Sequence, residues 1–130
     1  MTRLRLLAAT GNDHKLAELR RLLSGAPIDL AAPSEAGIVL HVEETGATYA
    51  ENALLKALAY AQASGMAALA DDSGIEVDAL DGRPGVRSAR YGGPGLDDAA
   101  RTRLLLSETA ASPDGRRSAR YVAVLALAWP

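Results

Sequence analysis

At 130 residues the chain has the size of one domain with a core of its own. Its 14 basic and 16 acidic residues leave a formal charge of −2, so no field over the whole protein favours a nucleic acid or an anionic membrane. Cysteine is absent, which excludes disulfides, thiolate metal sites and a Cys nucleophile and fits a reducing cytoplasm, and His14 and His41 are too few to build a histidine metal site.

Arg3 and Arg5 ahead of Leu6-Leu7-Ala8-Ala9 imitate the start of a signal peptide, but the apolar run is too short and Gly11-Asn12 breaks it. No segment approaches the roughly twenty apolar residues of a membrane span, so a soluble, cytoplasmic chain is expected. Residues 4–9 instead predict a buried first strand, Thr10-Gly11-Asn12-Asp13-His14-Lys15 a polar turn, and Leu16, Leu19, Leu22 and Leu23 the apolar side of a helix. Asn12 or Asp13 can cap that helix, Gly25 can stop it, and Pro27 lies just beyond. The first free N–H groups of the helix, with Lys15 beside them, form a candidate anion site, although a strand-to-helix turn with one lysine is common. Ile28-Asp29-Leu30 reads as a short strand and Pro33-Ser34-Glu35-Ala36-Gly37 as a loop or one helical turn.

His41-Val42-Glu43-Glu44-Thr45-Gly46 is an acidic pair in a glycine-bearing turn, and Thr48-Tyr49-Ala50-Glu51 has the form of a capping box. The helix it opens should cover residues 49–64, bury Leu54, Leu55, Leu58 and Ala61, and stop at Gly65. Asn52 and Lys56 share a face of it, either solvated or aiming an amide and an ammonium at an anion. Residues 66–70 then predict a short buried strand that ends at Asp71-Asp72-Ser73-Gly74. That is an acidic, metal-ready strand end, at the place where open α/β sheets collect ligands, built from residue types that also make ordinary turns.

Residues 75–80 alternate apolar and polar, which predicts a half-buried strand with Glu76 and Asp78 facing out. Asp81-Gly82-Arg83-Pro84-Gly85 is a turn-rich loop, and residues 86–93 carry Arg87 and Arg90, either near an anion or on the surface. Residues 97–107 predict a helix with Asp97 and Asp98 at its positive end and Leu104 and Leu105 inward. A polar linker follows, with the turn signal Ser112-Pro113-Asp114-Gly115, and residues 118–129 read as a long core strand.

Four ordered motifs carry a more specific signal than any of them alone. Thr10-Gly11-Asn12-x-x-Lys15, Glu44-Thr45-Gly46-x-Thr48-x-x-Glu51-Asn52-Ala53-x-x-Lys56-Ala57, Ala70-Asp71-Asp72-Ser73-Gly74 and Gly82-x-Pro84-Gly85-Val86-x-Ser88-Ala89-Arg90-Tyr91 closely resemble the Ham1/RdgB-type inosine triphosphate pyrophosphatase family. The resemblance implies an α/β, ITPase-like (Maf/Ham1) elongated fold, two lobes around a long mixed sheet with flanking helices and a central nucleotide cleft. It implies a cytoplasmic, usually homodimeric, Mg²⁺-dependent hydrolase; the charge balance and the lack of a long apolar segment add the expectation of no nucleic-acid or membrane partner. The substrates would be the non-canonical purine nucleoside triphosphates ITP, dITP and XTP, cut to the monophosphate and pyrophosphate.

Carried over residue by residue, Asp72 would be the catalytic carboxylate and proton acceptor, and Glu44 and Asp72 the metal ligands. Thr10, Gly11, Asn12, Asp13, His14 and Lys15 would hold the triphosphate, with Ser73 and Lys56 also contacting substrate and Asp71 a further candidate. Spacing leaves Glu43 and Glu44 both open as the metal-side acid. Carboxylate oxygens suit Mg²⁺, positive donors would hold the phosphate chain for in-line attack, and a positioned carboxylate can take the proton of the attacking water.

The chain departs from the family pattern beyond its last motif. The Phe-Gly-Tyr-Asp-type loop, the lysine and the Ser-His-Arg motif that recognise the base in the family do not occur, and the chain has no phenylalanine. The expectation is a single ITPase-like domain, residues 1–130, truncated at its C-terminus and holding the phosphate and metal half. Two other readings stay open: a catalytically impaired nucleotide-binding remnant, and a Maf-type nucleotide pyrophosphatase, whose basic strand-to-helix motif differs from residues 10–15.

Overall fold

The structure is a computed structural model describing residues 2–112 and 116–130. The first strand, β1 (Leu4–Ala8), explains the layering. Side chains alternate along a strand, and Leu6 and Ala8 are as fully buried as Leu7 and the following Ala9, so β1 has to be covered on both faces. α1 (Asp13–Leu22) covers one face, where Leu6, Ala8, Leu19 and Leu30 cluster with Leu16, Leu23 and Leu69. α2 (Tyr49–Ser64) covers the other, where Leu7, Ala9, Ala57, Tyr60 and Ala61 cluster with Ala68 and Ala70.

β1 is parallel to β2 (Ile28–Ala31) on one side and to β3 (Ala68–Val77) on the other, and β4 (Ala119–Ala128) completes the order β2-β1-β3-β4. The Asp78 N–H donates to the Ser118 carbonyl and Glu76 pairs with Arg120, so β4 returns antiparallel to β3 and the sheet is mixed. The chain divides into two compact units, Met1–Asp72 with Val124–Pro130, and Ser73–Ala123. No helix of the described residues is long and apolar enough to cross a membrane.

The helix caps follow the sequence closely. Asn12, rather than Asp13, caps α1 by accepting from the N–H groups of His14 and Lys15, and Gly25 lies just past its end with φ +88. Thr48 caps α2 by accepting from Glu51 N–H, the Glu51 carboxylate accepts from Ala47 N–H at 2.8 Å, and Gly65 stops the helix with φ +70. Ser34–Ala36 is the single helical turn. α3 (Asp98–Thr109) is capped by Asp97, with Leu104 and Leu105 half-buried. Arg87 and Arg90 lie in the 3₁₀ segment Gly85–Arg90. Of the turn signal at residues 112–115, Pro113, Asp114 and Gly115 lie outside the described residues.

Four expectations are corrected. The side of α2 that meets the sheet is Asn52, Ala53, Ala57, Tyr60 and Ala61, while Leu54, Leu55 and Leu58 are 46%, 39% and 40% exposed. The stripe 53, 57, 60, 61 follows the helical period and its alanines let the helix sit close to Ala68 and Ala70; the leucines fall on the far side. For the same geometric reason Leu22 of α1 is exposed, since Leu16, Leu19 and Leu23 make the inward stripe.

The third correction concerns residues 66–80. They are not two strands around a turn but one strand through Val77, followed by a 3₁₀ turn, Asp78–Leu80, so that Glu76 is half-buried against Arg120 rather than simply outward. Tertiary contacts override the turn composition of residues 71–74. A Cβ on Gly74 would lie 2.1 Å from the Gly85 carbonyl oxygen, so only glycine admits this approach, and Ser88 Oγ accepts from Ile75 N–H at 2.9 Å and donates to Gly85 O at 2.6 Å.

Lastly, β4 is not a core strand. Only Ala128 is fully buried, Val122, Val124 and Ala126 are half-buried, and Tyr121, Leu125 and Leu127 are exposed. It is an edge strand with one packed face, and an all-apolar sequence does not reveal that its second face is uncovered among the described residues.

Candidate active site

β1 stops at Ala8, the Ala9 N–H donates to Leu69 O at 2.8 Å, and β3 continues past that point. Asp71 and Asp72 therefore lie just beyond the carboxyl end of β1, where the chain turns into α1. β1 connects to β2 through α1 on one face, and β2 to β3 through α2 on the other. The place is thus a topological switch point, where open α/β sheets bind ligands.

The pleat decides which way each acid faces. Leu69 packs on the α1 side and Ala68 and Ala70 on the α2 side, so alternation sends Asp71 toward α1 and Asp72 toward α2. Accordingly Lys15 Nζ of α1 lies 3.1 and 3.3 Å from the two Asp71 oxygens. Asn52 Nδ2 of α2 donates to Asp72 Oδ2 at 3.3 Å. One helical turn further along α2, Lys56 Nζ pairs with Glu44 Oε1 at 2.9 Å, its own side chain only 12% exposed. Neither Asn52 nor Lys56 is on a solvated face.

Glu43 and Glu44 separate cleanly. Glu43 is outward, 3.8 Å from an equally exposed His41, whereas Glu44 faces Lys56. Burial pushes the Asp72 carboxyl above the usual carboxylate range; the Asn52 hydrogen bond opposes that rise, the Glu44 charge adds to it, and Lys56 and Lys15 oppose it. Glu44 and Asp72 are therefore close enough to repel.

These donors fit a hard divalent cation. Both are carboxylates, and a cation between them would relieve their repulsion and the cost of burying Asp72. Among the described residues no group of three or more His, Cys, Asp or Glu could hold a metal. A cation here would draw on two protein carboxylates and take its other ligands from water or phosphate, the usual situation for Mg²⁺.

The turn after β1 is already engaged in hydrogen bonds. Thr10 Oγ1 accepts from Asn12 N–H at 3.1 Å, and Asn12 Oδ1 accepts from His14 and Lys15 N–H at 2.9 and 3.2 Å, so these first N–H groups of α1 are occupied by the cap rather than free. Gly11, Asp13 and His14 are exposed, and Ser73 follows Asp72 on β3, half-buried. The structure thus groups Lys15 with Asp71, and Glu44 with Lys56, Asn52 and Asp72. The sequence leaves Asn52 either solvated or aiming its amide at an anion, and the structure turns that amide to a buried carboxylate; the signal for its burial is that it is the polar member of the stripe formed by Ala53, Ala57, Tyr60 and Ala61.

An open α/β sheet with carboxylates and lysines opposed at its switch point defines the class of protein. The Ham1 family model matches residues 6–130, and the chain belongs to the Ham1 family. It is 47% identical over 128 residues to the dITP/XTP pyrophosphatase of Cutibacterium acnes, across 97% of this chain and 63% of that protein. Against the dITP/XTP pyrophosphatase of Streptomyces coelicolor the identity is 48% over 128 residues, 97% of this chain and 64% of that one. A solved HAM1 protein from Coxiella burnetii superposes with a TM-score of 0.84 at 42% identity, covering 95% of this chain and 62% of that chain. The chain spans somewhat less than two thirds of the length of these relatives.

Proposed function

We propose that this chain carries the phosphate-cleaving site of a non-canonical purine nucleoside triphosphate pyrophosphatase, hydrolysing ITP, dITP and XTP to the monophosphate and pyrophosphate with Mg²⁺. The observation that carries the reading is Asp72, buried at the switch point against Asn52, with the Glu44 charge beside it and Lys15 and Lys56 within electrostatic reach. The names of the relatives supply the substrate class.

In this reading Glu44 and Asp72 hold the cation, which when bound neutralises phosphoryl oxygens as charge develops on them. Lys15 and Lys56 exchange their carboxylate partners for phosphate oxygens, and the turn of Thr10, Gly11, Asn12, Asp13 and His14, with Ser73, lines the phosphate chain. Asp72 accepts the proton of the attacking water, with the Asn52 amide bonded to its Oδ2 and so fixing its orientation. Asp71 holds Lys15 in the resting site. Residues 1–130 act as one such domain, in the cytoplasm and as a homodimer, and the apolar side chains exposed on α2 and β4 support an association surface.

The deciding experiment is pyrophosphate release from ITP, XTP, GTP and ATP with Mg²⁺ from neutral to alkaline pH. Release from ITP or XTP is expected. Folded protein that releases none overturns the hydrolytic reading, and calorimetric binding of ITP without turnover would replace it by nucleotide binding alone.

A further inference from the structure

Asn52 has an amide fixed at both ends. Among the fully buried side chains it is, with Leu7, the largest. Gly46 N–H can only donate, so the atom 2.7 Å from it is the amide oxygen, and the NH₂ group is thereby turned to Asp72 Oδ2 at 3.3 Å. The joint has little slack, because a Cβ on Gly46 would lie 2.7 Å from Asn52 Oδ1. Gly46 stands two residues after Glu44, and Lys56, four residues after Asn52 on the same side of α2, holds the Glu44 carboxylate itself.

We propose that Asn52 is a positioning residue that sets the separation of the Glu44 and Asp72 carboxylates for one divalent cation, by tying the Gly46 backbone and Asp72 through a single buried amide. The inference rests on the reading of Glu44 and Asp72 as the metal-holding pair. Two like charges drift apart unless something holds them, and α2 is the element that reaches both: Asn52 fixes the strand acid and the turn, Lys56 the acid on that turn. Partners that orient ligands in this way are typically worth about 10- to 100-fold in metal affinity.

The probe is Mn²⁺, followed by the paramagnetic resonance of the free ion during titration of the full 130-residue chain. Asn52→Leu removes the amide at nearly constant volume; Gly46→Ala keeps the amide but crowds it off the turn, together with the equally close Glu51 Cβ, so its helix content is checked alongside. Both are expected to weaken Mn²⁺ binding by about tenfold or more while far-ultraviolet dichroism stays native. Tyr60→Phe, which removes a hydrogen bond elsewhere on α2, should lower stability and leave Mn²⁺ affinity unchanged, separating positioning from mere support of the fold. In steady-state assays the half-saturating metal concentration should rise more than kcat at saturating metal falls. Folded Asn52→Leu with wild-type Mn²⁺ affinity overturns the inference, as does a wild-type chain that takes up no Mn²⁺. If Asn52→Leu does not fold, Gly46→Ala decides by the same criterion. Asn52-dependent Mn²⁺ binding without pyrophosphate release upholds the positioning role while the hydrolytic reading falls; release with an unmoved Mn²⁺ affinity does the reverse.

Discussion

Asp71 and Asp72 are neighbours in the chain but face opposite sides of β3, Asp71 meeting Lys15 at 3.1 Å and Asp72 meeting Asn52 at 3.3 Å. They are therefore not one dicarboxylate. The acid that shares a field with Asp72 is Glu44, brought in from a distant turn.

The two aspartates should consequently fail differently when neutralised. Asp72→Asn is expected to lower turnover by at least about 100-fold, the scale of a lost general base. In the absence of metal it should also stabilise the fold by about 1 kcal/mol, because it removes a buried charge next to Glu44. Asp71→Asn should keep both metal affinity and stability near wild type and act through Lys15, as a change in KM. Steady-state kinetics and urea unfolding in chelator check both; equal phenotypes would contradict the opposed orientation.

Lys56 balances Glu44 in a place only 12% exposed. Lys56→Met should leave the Glu44 and Asp72 charges facing each other with less compensation and cost about 2 kcal/mol in metal-free buffer. Added Mg²⁺ should recover part of that loss, which thermal unfolding with and without Mg²⁺ measures.

Tyr60 is buried, its hydroxyl donates to the Leu40 carbonyl at 3.1 Å, and burial raises its pKa. A raised folded-state pKa favours the protonated phenol in the native state. The phenol's contribution is complete below the unfolded value of about 10 and is lost as pH rises through and beyond it. The urea midpoint should fall above about pH 10 in the wild type. The fall should be shallower in Tyr60→Phe, which at neutral pH costs about 1 kcal/mol for the missing donor. Tyr91, raised by burial and by its bond to Glu108, leaves a residual slope in that variant.

Gly74→Ala places a methyl 2.1 Å from the Gly85 carbonyl oxygen and 2.7 Å from Ser88 Oγ. Backbone cannot yield as a side-chain tip does, so the substitution should destabilise by about 3 kcal/mol. Ser88→Ala, which removes only the bridge between Ile75 N–H and Gly85 O, should cost about 1 kcal/mol. Chemical unfolding of the two variants gives the ranking.

What the residues disclose in advance is whatever local chemistry decides. Asn12, Thr48 and Gly65 sit where caps and stops must be, and α2 runs from Tyr49 to Ser64 as the capping box and the glycine require. What they hide is settled by neighbours far away in sequence. Leucine is more apolar than alanine, yet Ala53, Ala57 and Ala61 face the sheet because closeness to Ala68 and Ala70 outweighs side-chain size. Asp71 to Gly74 look like a turn until Lys15 meets Asp71, Asn52 meets Asp72 and Gly85 closes on Gly74 along a continuing strand. The family resemblance points to Glu44, Lys56 and Asp72 while spacing leaves Glu43 and Glu44 both open; contact with Lys56 separates the two glutamates, and the pleat of β3 assigns each aspartate its side.

The two ion pairs also bear on how the proposed phosphate ligand would arrive. Lys15 is matched by Asp71 and Lys56 by Glu44, which leaves the Asp72 carboxylate as the residual charge of these five groups. For the proposed triphosphate, these five groups together would offer no net attraction before a metal binds. In that proposed role, a dication held by Glu44 and Asp72 would turn the net charge of these groups positive and make the site receptive to a phosphate chain.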